Sequence, residues 1–239
     1  MGDRPADLSG LALLATPPET IDDVLERMAA IESTLAPADG VAYFNRMYRR
    51  VTEEVHTAVQ GKAFEADPFL ERLDVVFASL YFQAVEQWIR GEKVARAWRP
   101  LFEQRDRTDR FPIQFALAGM NAHINHDLPV AVIQTCAQLS LQPEDGSPPY
   151  HDFHATNDIL GSLEGSIKHW FEGGLMAAMD VALGKLDDAL EIFSIATARR
   201  LAWENAQLMW SLRDNPRLQD MFERTLGRFT KFAGRAILF

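Results

Sequence analysis

The stretch 69–89, FLERLDVVFASLYFQAVEQWI, decides the fold. From Leu73 to Val85 it is apolar on nearly every side, where a half-exposed helix would alternate apolar and polar faces. Such a helix must be buried all round, and only a surrounding layer of other elements can bury it. Asp74 sits inside this apolar run, and Tyr81 follows two turns later on the same face. A carboxylate there requires a partner such as Arg199 or a histidine, as a structural ion pair or as a base in a pocket.

The flanking sequence supplies that layer as further helices. In TPPETIDDVLERMAAIESTLA (16–36), Ile21, Val24, Leu25, Met28, Ile31 and Leu35 keep the 3.6-residue period, with Thr16 as the expected cap. A second helix is expected over 41–60, with the row Phe44, Asn45, Tyr48, Thr52 and His56 along one side. Others are expected over 111–141, 153–179, 186–210 and 216–239, with QPEDGSPPYHD (142–152) as a clear loop. No strand pattern stands out. The expectation is an all-α fold: a single compact domain over 19–239, of about seven to nine helices around a buried central pair, preceded by a flexible arm over 1–18.

Composition excludes several classes of function. The 239 residues carry 24 basic and 34 acidic side chains, a net charge of −10, so no nucleic-acid partner is expected. The single cysteine, Cys136, lies in an apolar pattern and excludes an internal disulfide, which fits a reducing cytoplasm. No run approaches 18 apolar residues and the N-terminus does not read as a secretion signal, so neither a membrane span nor a membrane partner is expected. Gly-x-Ser-x-Gly and phosphate-cradling glycine loops are missing.

The second central helix, FPIQFALAGMNAHINHDLPVAV (111–132), carries side chains that burial alone would not choose. On a regular helix His123, His126 and Asp127 share one face, with Met120 a turn back. Pro129 has no N–H and its ring opposes the carbonyl of Asn125, so the helix must kink there, or stop and restart with Pro129 in its first turn. Two readings stay open: a capping Asp with two His bonded to backbone at a kink, or a metal or acid/base site on a broken helix.

The segments DGVAYFNRMY (39–48), RLDVVFASLYFQAV (72–85), PIQFALAGMNAHINHDLP (112–129), DFHATNDIL (152–160) and ARRLAW (198–203) resemble a bacterial, mostly actinobacterial, family of unknown function, with MNAHINHDLP as the specific signature. The resemblance covers roughly residues 39–239 and implies an all-helical fold, but supplies no reaction. Asn45, Tyr48, Asp74, Tyr81, His123, His126, Asp127, Asp152 and Asn157 match its recognisable segments.

The residues define three hypotheses. In the first, the protein is an enzyme, with His123, His126, Asp127 and Asp152 as ligands for a divalent metal (Zn, Fe or Mn) and His126, Asp127 and Asp74 as catalytic groups of a hydrolase or lyase acting on a small molecule. His151 or His154 could close the shell. The adjacent His126–Asp127 pair also fits the helical His-Asp metallophosphohydrolases, which need an earlier His, here His56 or His123, and a later Asp, here Asp180. In the second, it is a non-catalytic binder of an apolar small molecule, with Phe77, Tyr81, Phe115 and Met120 lining a cavity between helices. Asn45, Tyr48, Tyr81, Met120 and Asn157 are the expected pocket residues. In the third, it is a helical interaction protein whose His cluster is structural.

Overall fold

The computed structural model describes residues 14–59, 68–157, 160–161 and 194–239. All regular elements among them are helical: α1 (Ile21–Thr34), α2 (Gly40–Val59), α3 (Phe69–Ile89), a 3-10 turn (Arg96–Trp98), α4 (Arg99–Gln104), α5 (Pro112–Ala122), a π turn (His123–Asp127), α6 (Leu128–Gln138), α7 (148–157), α8 (Ile195–Ser211) and α9 (Pro216–Leu238). The expected helices over 153–179 and 186–210 fall partly outside the described residues, and so does Asp180. What is described places the first start earlier, at 148, and the second later, at Ile195 behind the N-cap Ser194.

The central pair is α3 and the continuous rod α5–π turn–α6. One core cluster gathers α1, α2, the latter part of α3 (Val75, Ala78, Tyr81, Phe82) and α5. The other gathers the start of α3 (Phe69, Leu70, Leu73), α6 and α8 around Phe153 and Trp203. Both central helices thus pass from one cluster into the other, and the π turn lies where they do. Helices α2 and α9 flank α5, while α3 and α8 flank α6.

Close approach explains several small residues. A Cβ on Gly119 would stand 2.3 Å from the Phe44 ring, so α2 meets α5 at a distance only glycine permits. The α9 row Gly227, Thr230 and Gly234 is buried, and the Thr230 carbonyl accepts from Asn121 Nδ2 of α5 at 2.8 Å.

Local chemistry sets the helix starts. Thr20, not Thr16, caps α1: its Oγ1 accepts from the Asp23 amide at 3.1 Å, and the Asp23 carboxylate accepts from the Thr20 amide at 3.0 Å. Part of the expected arm is bound down, since Leu14 is in the core and the Thr16 carbonyl accepts from Arg27; residues 1–13 lie outside the described set. Buried Asp39 opens α2, accepting from the Val41 amide and pairing with Arg105. Cys136 is buried, and burial pushes its thiol up to about 12.

Candidate functional site

The site begins with Pro129. Its ring forbids a normal α-turn bond pattern upstream, and the chain responds by widening: the Leu128 amide donates to the His123 carbonyl five residues back. The helix runs unbroken through the widened turn into α6, with Pro129 in that segment's first turn, so it neither stops nor restarts. The widened turn changes which way the side chains point. His123 and His126 do not share a face; they lie on opposite sides of Asp127, each in the wall of a different cavity.

Asp127 is the hub. It is buried, and its carboxylate is met by three ring nitrogens: Trp98 Nε1 donates to Oδ2 at 2.9 Å, His123 Nδ1 lies 3.1 Å from Oδ2, and His126 Nδ1 lies 2.7 Å from Oδ1. Burial raises the Asp127 carboxyl, but the bonds and charges of the two histidines outweigh it and hold the group below the usual carboxylate range. An ionised acceptor makes Nδ1 of each imidazole the protonated nitrogen.

His123 faces the first cavity, lined by Phe44, Tyr48, Asp74, Phe77, Met120 and Arg199 among others, with about 1000 Å³ of space unfilled by protein atoms, its open mouth included. The Phe77 ring stacks flat on the imidazole, centroid to centroid 3.5 Å, and Tyr48 meets it edge-on at 4.7 Å. Burial among these rings lowers the His123 imidazole below its usual value, against the pull of Asp127. It is therefore neutral at pH 7. Nε2 is sealed from solvent and has no hydrogen-bond partner among the described residues. A buried acceptor left unpaired costs about 1–3 kcal/mol, so the position needs an explanation.

Two more groups in the same wall lack hydrogen-bond partners among the described residues. The Asp74 carboxylate makes no hydrogen bond to any described residue; burial raises it to about 6, offset by Arg199 and reinforced by Glu71. Burial, with Asp74 and Asp127 adding, likewise raises the Tyr48 phenol well above its ordinary value, and its hydroxyl also meets no described partner. Arg199 is the nearby cation that Asp74 required, but its bonds go elsewhere: Nε to Asn157 Oδ1 at 2.7 Å, and Nη2 to the Phe153 carbonyl at 2.8 Å and to Thr156 Oγ1. Burial lowers the guanidinium to about 10, against the pull of Asp74.

The other residues singled out from sequence are distributed as follows. Tyr48 and Met120 line this cavity. Asn45 and Tyr81 are packed beneath it, where the Tyr81 hydroxyl donates to Asn45 Oδ1 at 3.2 Å and Asn45 Nδ2 donates to the Met28 carbonyl at 2.8 Å. Asn157 braces Arg199 and lies 3.2 Å from His154 Nδ1. Asp152 is buried on α7, a separate element from the His–Asp hub. Among the described residues no three of His, Cys, Asp and Glu are arranged to hold a metal ion.

His126 looks the other way, into a more polar cavity shared with Gln83, Gln87, Lys93, Trp98 and Glu223. Burial opposes its charge, but the Asp127 bond and the charges of Asp127 and Glu223 raise the imidazole above its usual value. Helix α9 closes over it at Gly227, where a Cβ would stand 3.3 Å from His126 Cδ2.

A family model described as a family of unknown function (DUF5995) matches residues 21–239. The chain belongs to this family. No curated protein and no solved structure matches it. In this member of DUF5995 sequence reasoning missed Trp98, whose indole N–H is the third donor to Asp127. An apolar stretch with one tryptophan gives no sign that its N–H will meet a carboxylate 29 residues on.

Proposed function

We propose that the protein is an enzyme acting on a small, largely apolar molecule, with His123 as the proton acceptor. One observation carries this reading: an imidazole anchored through Nδ1 to a buried carboxylate keeps Nε2 buried and unpaired in a residue that lines an apolar cavity, so a substrate reaches Nε2 once the packed rings move aside. That is the arrangement of a general base whose orienting carboxylate stabilises the imidazolium it becomes. Nε2 takes a proton from the substrate or from a water beside it. The Nδ1 proton stays in place, and its bond to Asp127 strengthens as charge develops. Asp74, raised to about 6, is placed to carry a proton in the same space. The Tyr48 hydroxyl can donate to a substrate oxygen. A hydrolytic or lyase step fits these roles, with no step assigned to a metal.

The apolar lining supports a second reading, a carrier that binds the same class of molecule without changing it. Incubating the protein with a panel of apolar esters, hydroxy acids and amides, followed by mass spectrometry, separates the two. Turnover by the wild type that His123→Gln abolishes and Asp74→Asn slows supports the enzyme. Retention of a compound, unchanged in mass and unaffected by His123→Gln, would assign the carrier role instead.

A further inference from the structure

Helix α9 turns an apolar face outward. Leu218, Met221, Phe229, Phe232, Ala236 and Phe239 fall within an arc of roughly 80° at 100° per residue, with Thr225 the row's polar member. The Phe229 and Phe232 rings are 70% and 68% exposed, and Met221 is 59% exposed. A soluble surface seldom spends three phenylalanines on one row, since grouped apolar exposure marks a contact surface.

Directly beside this row runs a basic one. Arg217, Arg224, Arg228, Lys231 and Arg235 occupy the next roughly 60° of the helix, all on the same flank. Arg224 pairs with Asp220 and Arg235 lies 3.9 Å from Glu103, while Arg217, Arg228 and Lys231 have no partner among the described residues. The helix therefore carries five basic and two acidic side chains on a chain whose net charge is −10. The basic row is a local reversal of sign.

We propose that α9 docks this face on an anionic lipid surface, with the phenylalanines among the upper acyl chains and the basic row at the headgroups. Apolar and basic strips side by side along one helix match the two layers of such a surface. A second copy of the chain fits less well. Two α9 helices facing each other antiparallel about a two-fold axis place both basic rows on the same side of the interface, where they repel. The docking is peripheral, because no helix among the described residues is long and apolar enough to cross a membrane. It also revises the expectation that membranes are not partners of this chain.

Vesicle co-sedimentation tests the proposal, using the full chain with vesicles of pure phosphatidylcholine and with vesicles containing roughly one-third phosphatidylglycerol. The wild type is expected to sediment with the anionic vesicles only, and to be released at about 0.5 M salt. Phe229→Ser/Phe232→Ser should lose binding. Arg217→Gln/Arg228→Gln/Lys231→Gln should weaken it at least roughly tenfold. Phe229, Phe232, Arg217 and Arg228 are exposed and Lys231 half-buried, so circular dichroism melts should closely match the wild type. Absence of wild-type binding overturns the proposal, as does equal binding to both vesicle types. So does a dimer in light scattering that Phe229→Ser/Phe232→Ser splits without any vesicle binding, which gives the face to a second copy.

Discussion

His123 and His126 stand three residues apart on one turn of one helix and bond through the same ring nitrogen to the same carboxylate, yet their surroundings push them in opposite directions, His123 below its ordinary pKa and His126 above it. On the His123 side Phe77, Tyr48 and Phe44 leave no second charge to stabilise an imidazolium, so burial wins and the ring is neutral. On the His126 side Glu223 adds to Asp127, and together they outweigh burial. A shared partner does not fix a protonation state; the groups around the far side of each ring do. His123, held below its ordinary value, is the ring suited to accept a proton, while His126, held above it, takes a proton more readily and so favours an ionised Asp127.

The largest way to break this contrast is to remove the hub. Asp127→Ala leaves two buried imidazoles and the Trp98 N–H without their acceptor and should cost about 4 kcal/mol in urea unfolding. A loss below about 1 kcal/mol would mean the carboxylate is not organising the turn. Trp98→Phe keeps an aromatic side chain but removes the indole N–H and some buried volume, for an expected loss of about 2 kcal/mol. It should also shift the Asp127 carboxyl upward, narrowing the stability plateau on the acid side.

The two histidine variants should differ in sign with pH. The folded pKa of His126 is raised, so its contribution is full below about 6.5, the unfolded value, and is lost as pH rises through the folded one. His126→Gln should therefore cost most in mild acid, about 1.5 kcal/mol, and less in alkali. His123 is lowered, so it opposes folding as pH falls below about 6.5, and His123→Gln should relieve part of that acid loss. Matching profiles for the two variants in chemical denaturation would erase the distinction.

The smallest effect concerns Asp74. Its folded pKa of about 6 lies above the ordinary 3.8, so the folded state holds the extra proton and stability declines as pH climbs from about 4 to about 6. The full shift converts to about 3 kcal/mol, and solvent reaching this half-buried carboxyl screens it to about 1, so Asp74→Asn should raise stability at pH 7 by about 1 kcal/mol and by nothing near pH 4. A stabilised variant that turns over the proposed substrate more slowly is the outcome expected of a group kept for function.

Much of this architecture is legible in the sequence. The run from Leu73 to Val85 marks a helix buried on nearly all sides, and α3 comes close, with only Gln83 of that run exposed. The cluster around His123 and the isolated Asp74 likewise announce polar groups in an apolar setting. What the sequence withholds is geometry decided at a distance. The 100° wheel places His123 and His126 together, and only the π turn forced by Pro129 separates them into different cavities. Arg199 reads as a counter-ion for Asp74, but α7 presents a carbonyl, a hydroxyl and an amide oxygen that hold it by hydrogen bonds. Thr16 looks like a cap until Asp23 completes a box with Thr20, four residues later.

The central claim is that one carboxylate supports an imidazole held below its ordinary pKa facing the cavity and one held above it behind. Long-range proton–nitrogen correlation NMR of the histidine rings across pH 5 to 9, assigned with His123→Gln and His126→Gln, measures it directly. The account predicts that His126 titrates above about 6.5 and His123 below it, with neutral His123 protonated on Nδ1 and bare at Nε2. A single shared titration, or a His123 whose proton sits on Nε2, would contradict it.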